Sequence, residues 1–292
     1  MKAILQLSLA LAVAVPQSVN AWGALGHQAV GYVYSCLAFF LSSDALTFVK
    51  SSLGSTYDES LGPAATWADS VRSTAAYKFS APYHFIDAED SPLSDSCSVS
   101  QSRDCGASGC ILTAIQNYTA RVQKTSLSAA QRQEALKFIS TSRFFIGDIG
   151  QPLHVEAYEV GGNDIDVTCS GSSSNLHSVW DTGMLKRNLD ENYDSSSESY
   201  AAALATRISS GTYSSLKSGW VSCITTSALT STSCPIVWAT EANAYDCSYV
   251  FDYTSGDDLC TSSYYTKAIP IIDLQIAKQG YRLATWLNTI FG

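Results

Sequence analysis

Apolar residues recur at helical spacing through most of this chain, and that periodicity limits its possible folds more than any other feature. The clearest run lies near the end of the chain and comprises Ile272, Ile276, Leu283, Leu287 and Ile290. The same period predicts further core helices over 27–41, 126–149 and 197–208. Strand-like runs are few, and the best is a short one over 165–168. The sequence therefore predicts a mainly α fold.

Segments rich in Gly, Ser and Asp separate these helices at 91–109, 170–174, 209–219 and 254–263. Such segments are typical of long loops, and none of them resembles a flexible linker between two separate cores. We find no internal repeat. The sequence therefore predicts one multi-helix domain over 22–292, with its loops pinned by disulfides.

The first 21 residues have the features of a secretory signal peptide. A positive charge at Lys2 precedes an apolar run over 3–15, and this run is too short to span a membrane. We expect cleavage after Ala21, so that a secreted, extracellular protein begins at Trp22. No later segment is long and apolar enough to cross a bilayer. A single glycosylation sequon, at Asn117, predicts a surface position in the exported protein.

Nine cysteines fit an oxidising compartment, in which disulfides persist. The odd number leaves at least one cysteine unpaired, and the spacing lacks the paired CxxC motifs of a structural zinc site. Cys223 and Cys234 lie close enough in sequence to pair locally. Cys36 falls in an apolar helix and is expected to be a buried thiol, whereas the partners of Cys169 and Cys260 stay open.

The chain carries 17 basic and 26 acidic residues, which gives a formal net charge of −9 at pH 7. This balance argues against a protein that binds nucleic acid through a broad basic face. Bound divalent cations would reverse that argument locally, because they concentrate positive charge at one site.

Each of the four histidines has a chemically suitable neighbour; the histidines are His27, His84, His154 and His177. The acidic residues that accompany them are Asp69, Asp148 and Asp181. His177 and Asp181 are four residues apart, which places them on one helix face where both can reach one ion. Nitrogen and oxygen ligands without a thiolate are typical of zinc sites that keep a position open for water. Alternatively, the pair is an ordinary surface contact, and Asp69 is a helix cap.

Seven stretches are similar, in order, to motifs of one enzyme family: WGALGH (22–27), TWAD (66–69), YHFIDA (83–88), DCGASGC (104–110), FIGDIGQPLH (145–154), GGNDID (161–166) and NLHSVWD (175–181). On these motifs the chain resembles the zinc-dependent, single-strand-specific fungal nucleases of the S1/P1 type, which share their fold with bacterial zinc phospholipase C. The resemblance covers nearly all of the chain after residue 21. It implies a mainly helical domain that acts as a monomer, away from membranes.

The resemblance also implies three zinc ions in a cleft of this domain. The first would be held by the amine and carbonyl of Trp22 with His27 and Asp148, the second by Asp69, His84 and the shared Asp148, and the third by His154, His177 and Asp181. An α-amine donates a lone pair only when it is free. Removal of the signal peptide is then part of assembling the site.

Two close zinc ions hydrolyse phosphodiesters by activating water and by stabilising charge on the attacking and leaving oxygens. The resemblance implies that Asp69 also orients the water and that Arg72 contacts the phosphate. It makes Phe85 a stacking platform, Asp87 an acceptor for donors on the base edge, and Asn163 a further contact in the cleft. Stacking requires an unpaired base, so the implied substrates are single-stranded RNA and DNA, together with 3′-phosphorylated nucleotides.

Two disulfides follow from the same resemblance, Cys97–Cys247 and Cys105–Cys110. One ligand position departs from the family pattern, because relatives carry a histidine where this chain has Phe144. Arg143 cannot replace that histidine, since a guanidinium offers no lone pair.

The stretch FISTSRFFIGD around Phe144 is also about three residues longer than its counterparts. Either the second zinc is bound weakly, which would reduce metal affinity and activity, or the translated sequence carries an error there. Two other functions are therefore alternatives to that of a nuclease. They are a homologue that binds nucleotides without catalysis and, less favoured, a zinc phospholipase C.

Overall fold

Long helices dominate the computed structural model, which describes residues 22–37, 40–65, 67, 71, 74–140 and 145–292. In chain order they are α1 (Ala24–Cys36), α2 (Ser43–Leu53), α3 (Ile111–Gln123), α4 (Ala129–Ser140), α5 (Met184–Asn192), α6 (Ser197–Ser209), α7 (Ser233–Tyr245) and α8 (Ser263–Phe291). Short segments of α-, 3-10 or π-helix join them at Ser55–Tyr57, Leu61–Ala64, Lys78–His84, Pro92–Ser94, Gln101–Asp104, Phe145–Asp148, Pro152–His154, Glu159–Gly162, Leu176–Ser178, Val179–Gly183, Lys217–Trp220, Ala228–Thr230 and Asp246–Val250. The mainly α prediction is confirmed.

Two strands, β1 (Asp166–Cys169) and β2 (Ser172–Asn175), form an antiparallel hairpin. The predicted strand over 165–168 corresponds to β1. Strand β2 was not predicted, because three serines and an asparagine have little strand propensity. The carboxylate of Asp258 stabilises the hairpin turn by accepting hydrogen bonds from the main-chain nitrogens of Ser170 (2.9 Å) and Gly171 (2.7 Å).

The predicted helix ends were less accurate than the helices themselves. The helix expected over 27–41 ends at Cys36, where the nitrogen of Leu37 divides its hydrogen bond between the carbonyls of Val33 and Tyr34 and so closes the last turn. The helix expected over 126–149 is represented by α4 and the short Phe145–Asp148 segment, and residues 141–144 lie outside the described residues. Helices α6 and α8 contain the predicted core positions.

Helix α1 packs closely on α8, and this crossing fixes the base of the core. A Cβ atom on Gly280 would lie 2.4 Å from the Val33 side chain, so only glycine allows this approach. Helix α8 also reaches the segment that carries the predicted ligands, because the Gln275 side chain donates a hydrogen bond to the carbonyl of Gly150 at 2.7 Å. The core thus positions the chain around Asp148 and His154 directly.

Four disulfides tie the loops to the helices: Cys97–Cys247, Cys105–Cys110, Cys169–Cys260 and Cys223–Cys234. They include both pairings implied by the family resemblance and the local pair. Cys36 is the free cysteine, as its prediction as a thiol requires, but it is half-buried and not buried as expected. It sits in the last turn of α1, at the edge of the core, where one side still faces solvent.

Across the described ranges, we find no helix that combines the length and the apolar character needed to span a bilayer.

Candidate metal centre and adjoining recesses

Three short segments bring His154, His177 and Asp181 together below the surface. Their side chains are 1%, 2% and 1% exposed, and their ligand atoms all lie within 4.8 Å of one another. The side chain of Asn175 caps the segment that carries His177 by accepting a hydrogen bond from the nitrogen of Ser178 at 2.7 Å. Within the described part of the chain, this is the one such cluster of three acidic, histidine or cysteine ligands.

Main-chain carbonyls fix the ring orientation of both histidines. His154 Nδ1 lies 2.8 Å from the carbonyl oxygen of His84, and His177 Nδ1 lies 2.7 Å from that of Gly161. Because a carbonyl oxygen can only accept, Nδ1 must carry the proton in each ring. A neutral ring then keeps its lone pair on Nε2, the atom that faces Asp181.

The arrangement of these atoms fits a shared cation. The two Nε2 atoms approach to 3.1 Å, and Asp181 oxygens lie 3.7 Å from His154 Nε2 and 3.2 Å from His177 Nε2. Two nitrogen lone pairs at this separation repel each other unless a proton or a metal ion lies between them. The described residues therefore form a possible His/His/Asp metal site of nitrogen and oxygen ligands.

The surroundings of Asp181 favour its ionised form. Burial alone would raise the pKa of its carboxyl, but His177 and His154 outweigh burial and hold the pKa well below its usual value. Gln151, itself fully buried, donates a hydrogen bond from Nε2 to Asp181 Oδ1 at 2.7 Å. The Gln151 side chain also accepts a hydrogen bond from the nitrogen of Leu153 at 2.6 Å, which locks its own position.

Asp148 joins the two remaining histidines. One carboxylate oxygen lies 3.4 Å from His27 Nε2 and the other lies 3.0 Å from His84 Nδ1, and Asp148 is fully buried. The hydrogen bond between His154 Nδ1 and the carbonyl of His84 connects this group to the His154–His177–Asp181 cluster. The structure thus brings all four histidines of the chain into one region.

The start of the described chain lies against the same region. Trp22 is fully buried, and the nitrogen of Gly23 donates a hydrogen bond to the carbonyl of Asp181 at 2.9 Å. A Cβ atom on Gly23 would lie 2.0 Å from the Thr182 hydroxyl, so glycine is required for this contact. Three predicted site positions, Asp69, Arg72 and Phe144, lie outside the described residues, as does the predicted signal peptide over 1–21.

A small recess of about 80 Å³ adjoins the metal ligands and contains both predicted base-binding residues. Its lining consists of Phe85, Asp87, Leu153, Glu156, Val160, Gly161 and His177. A second recess, of about 250 Å³, shares Phe85 and Asp87 and reaches the loop closed by Cys105–Cys110. Burial, with smaller contributions from Glu89 and Asp104, raises the pKa of Asp87 to about 6.

Asn163 lies in a neighbouring recess instead, with Asp164 and the β2 residues. Its side-chain nitrogen donates a hydrogen bond to the carbonyl of Val160 at 2.8 Å. The observed contact therefore supports the Glu159–Gly162 turn, in which Val160 has a positive φ of 57°.

Sequence reasoning missed Gln151, Glu156, Val160 and the carbonyl of Gly161. Gln151 lies within the quoted motif that ends at His154, so its proximity to ligands was a usable signal. The carbonyl of Gly161 had no signal, because main-chain acceptors leave no mark in a sequence. Glu156 is 1% exposed, and burial raises its pKa to about 7, with Asp90 adding to this.

A mainly helical domain with a buried group of histidine and aspartate ligands beside an aromatic recess is typical of metal-dependent hydrolases. The family model described as S1/P1 Nuclease matches residues 22–292, and the chain belongs to this nuclease family. It is 45% identical to Nuclease P1 of Penicillium citrinum, over 93% of this chain and 98% of that protein. It is 43% identical to Nuclease S1 of Aspergillus oryzae, over 96% of each. Endonuclease 3 of Arabidopsis thaliana is 30% identical, over 92% of this chain and 89% of that protein.

Proposed function

We propose that this protein is a secreted, zinc-dependent endonuclease that hydrolyses phosphodiester bonds in single-stranded RNA and DNA. The observation that supports this most is the convergence of His154, His177 and Asp181 beside the recess that contains Phe85. When bound, zinc supplies Lewis-acid chemistry and activates water for attack on phosphorus.

The proposed ligands follow the family pattern residue by residue. His154, His177 and Asp181 would hold one ion. Asp148, whose two oxygens contact His27 and His84, would hold the other ions together with these histidines. The remaining proposed ligands are the freed terminus at Trp22 and Asp69. Arg72 is proposed to contact the phosphate, and Asp69 to orient the attacking water.

The proposed preference for single strands rests on Phe85. Its ring lines both recesses, and a base can stack on it only after leaving a duplex. Asp87 lines the same recesses and would accept hydrogen bonds from the base edge. Asn163, which lies in the neighbouring recess, is proposed as a further contact for the bound strand. A nucleotide bound there would present its 3′-phosphate to the ligand cluster, so 3′-nucleotidase activity is part of the proposal.

The test combines metal analysis with substrate assays on the purified, secreted protein. We expect zinc, release of acid-soluble nucleotides from denatured DNA and RNA, and little release from duplex DNA. His177→Ala should bind one zinc ion fewer than the wild type and lose hydrolysis. A matched control is Asp190→Asn, which removes an exposed carboxylate that pairs with Lys186 away from the site. Hydrolysis that survives complete removal of metal would overturn the proposal.

A second candidate is a zinc-stabilised protein that binds nucleotides without hydrolysing them, and Phe144 at a ligand position is the observation that favours it. This candidate predicts fewer than three zinc ions for each chain, retained nucleotide binding and no turnover. Three zinc ions together with turnover would exclude it. A comparison of the wild type with Phe144→His separates the two candidates further. A restored ligand should raise both the zinc content and the rate of hydrolysis.

A further inference from the structure

The carboxyl group of Asp246 lies in the interior of the protein, where α7 passes into the Asp246–Val250 segment. Its side chain is 1% exposed, and neither carboxyl oxygen has a hydrogen-bond partner among the residues that the structure describes. None of those residues offers it a positive charge. A buried carboxylate without such partners is unfavourable, so this environment favours the neutral acid.

The ionisable groups that face Asp246 do not offset a negative charge. They are Glu156, which is 1% exposed, Asp90, and the phenol of Tyr264 in α8. The Tyr264 hydroxyl donates its hydrogen bond elsewhere, to the carbonyl of Val250 at 2.6 Å. An ionised Asp246 would therefore add a like charge to two other carboxyl groups.

Two short segments also pack against the Asp246–Val250 segment, Pro92–Ser94 and Pro152–His154. The first contains no ionisable side chain. In the second, the ring nitrogens of His154 face other groups, since Nδ1 lies against the carbonyl of His84 and Nε2 faces the metal ligands. Neither segment supplies a cation to Asp246.

The amide of Asn243, which could donate to Asp246, is already engaged. Asn243 is fully buried, and its Nδ2 donates to the carbonyl of Val155 at 3.3 Å and to Glu156 Oε2 at 3.2 Å. An amide nitrogen carries two protons, so these two bonds use both. Burial, and then the charges of Glu156 and Asp90, raise the pKa of Asp246 well above its usual value, and Asn243 lowers it by less.

The same contacts lead to the small recess beside the metal ligands. Glu156 Oε1 accepts a hydrogen bond from the nitrogen of Tyr158 at 2.8 Å, so the Glu156 carboxylate holds the chain that follows it. Glu156 also lines the recess together with Phe85 and Asp87. Repulsion between an ionised Asp246 and Glu156 would displace this wall of the recess.

We propose that Asp246 is a positioning residue for the base-binding recess, and that it acts as a neutral carboxylic acid, which spares Glu156 a like charge in the interior. When Asp246 loses its proton, the fold becomes less stable and the recess binds a nucleotide more weakly. The effect on stability does not depend on nuclease activity, whereas the effect on nucleotide binding rests on the proposed function.

The first test compares Tm of the wild type and Asp246→Asn, whose side chain has nearly the same shape but no charge. An aspartate with a raised pKa costs the fold nothing at a pH low enough to protonate it in the unfolded chain as well, and the cost grows as the pH rises. Asp246→Asn should therefore match the wild type near about pH 4 and exceed it by about 5 °C at about pH 8.

A second uncharged variant, Asp246→Ser, guards against a misfit of the amide. It should start from a lower Tm, because it leaves a small cavity, but its Tm relative to the wild type should rise with pH in the same way. Asp252→Asn is the matched control, since it removes an exposed carboxyl just beyond the same segment. Its Tm relative to the wild type should not change with pH.

The second test measures kcat and KM for a dinucleotide over the same pH range. The KM of the wild type should rise about threefold relative to that of Asp246→Asn between about pH 5 and 8, while the ratio of their kcat values stays constant, because the change lies in binding. If the purified protein does not hydrolyse the dinucleotide, its dissociation constant takes the place of KM. Failure of the proposed function is thus distinguished from failure of this inference.

A Tm difference between Asp246→Asn and the wild type that stays constant with pH would overturn the proposal. The same growth with pH in Asp252→Asn would also overturn it. A Tm difference that grows with pH while the KM ratio stays constant would refute the positioning role, because Asp246 would then affect the fold without affecting the recess.

Discussion

At the scale of single residues, the ligand cluster depends on groups that never touch a metal ion. Two main-chain carbonyls, those of His84 and Gly161, set the tautomers of His154 and His177. The Gln151 amide fixes one oxygen of Asp181, leaving the other to face His177. Such contacts hold the ligands in place and so lower the free-energy cost of rearranging them when a cation binds.

Gln151→Leu should therefore weaken zinc binding although Gln151 is not a ligand. Losing the hydrogen bond to Asp181 frees that carboxylate to rotate, and we expect zinc affinity to fall about 10- to 100-fold. Titration against a competing chelator measures this directly. Gln116→Leu is the control, because the Gln116 side chain bonds the carbonyl of Thr230 at the surface. Equal zinc affinities in both variants would show that the Gln151 contact is irrelevant.

The pKa of Asp87, raised to about 6, predicts a base preference that changes with pH. Above pH 6 the ionised carboxylate only accepts, which favours guanine with its two adjacent donors. Below pH 6 the protonated form also donates, which favours adenine with one donor and one acceptor. The ratio of kcat/KM for adenine over guanine dinucleotides should fall about fivefold between pH 5 and 7, equivalent to one hydrogen bond of about 1 kcal/mol.

Asp87→Asn is the control for this pH effect, because an amide does not titrate in that range and offers both donor and acceptor at every pH. Its adenine-to-guanine ratio should stay constant. If the wild-type ratio does not change, or if the variant shows the same change, Asp87 does not read the base.

At the scale of secondary-structure elements, apolar periodicity correctly predicted the helices. It did not predict the strand that tertiary contacts stabilise. Helix α6 was expected over 197–208 and spans Ser197–Ser209, since its apolar residues keep one face throughout. Strand β2 was missed because Asp258 and the Cys169–Cys260 disulfide, both from distant sequence, hold its hairpin. The histidine and aspartate positions of the candidate site could be predicted from motifs, whereas Gly161 acts through a carbonyl that any residue possesses.

Gly161→Ala should damage both the Glu159–Gly162 turn and the metal site. Gly161 has φ +59°, and a Cβ there would lie 2.5 Å from the carbonyl oxygen of Leu153. The turn must move, taking with it the carbonyl that orients His177. We expect a loss of about 1–3 kcal/mol in unfolding free energy, together with lower zinc affinity.

The Gly171→Ala variant separates the cost of placing alanine at a positive φ from the cost of a steric clash. Gly171 also has a positive φ, +75°, but no atom lies within 4 Å of an added Cβ. It should lose about 1 kcal/mol and keep wild-type zinc affinity. Denaturant unfolding and zinc titration measure the two quantities. Similar zinc affinities for the two variants would contradict the role assigned to the Gly161 carbonyl.

At the scale of the whole molecule, the disulfides differ greatly in the length of chain they close. Cys97–Cys247 spans 150 residues, whereas Cys105–Cys110 spans 5. A cross-link that closes a longer loop removes more entropy from the unfolded chain. Replacing Cys97 and Cys247 by serine should cost about 2–5 kcal/mol, and more than the same change at Cys105 and Cys110. Unfolding in denaturant measures the stability loss of each variant. A larger loss at Cys105 and Cys110 would show that native contacts outweigh the entropy of the unfolded chain.

Under the proposed function, the start of the secreted protein at Trp22 connects export with the metal site. Trp22 is fully buried and the nitrogen of Gly23 donates a hydrogen bond to the carbonyl of Asp181, so an amine freed at Trp22 would lie beside the candidate metal site. An added residue would remove the free amine from position 22. A chain that retains Ala21 should therefore bind one zinc ion fewer than a chain that starts at Trp22, and it should lose most of its hydrolysis.

Two otherwise identical proteins test this, one released by a protease before Trp22 and one released before Ala21. Intact mass fixes the starting residue, elemental analysis counts zinc, and thermal unfolding shows that both chains fold. The ion held by His154, His177 and Asp181 should be present in both proteins, because those ligands do not involve the terminus. If both proteins hold equal zinc and cleave denatured DNA equally, the amine is not a ligand, and removal of the leader serves export alone.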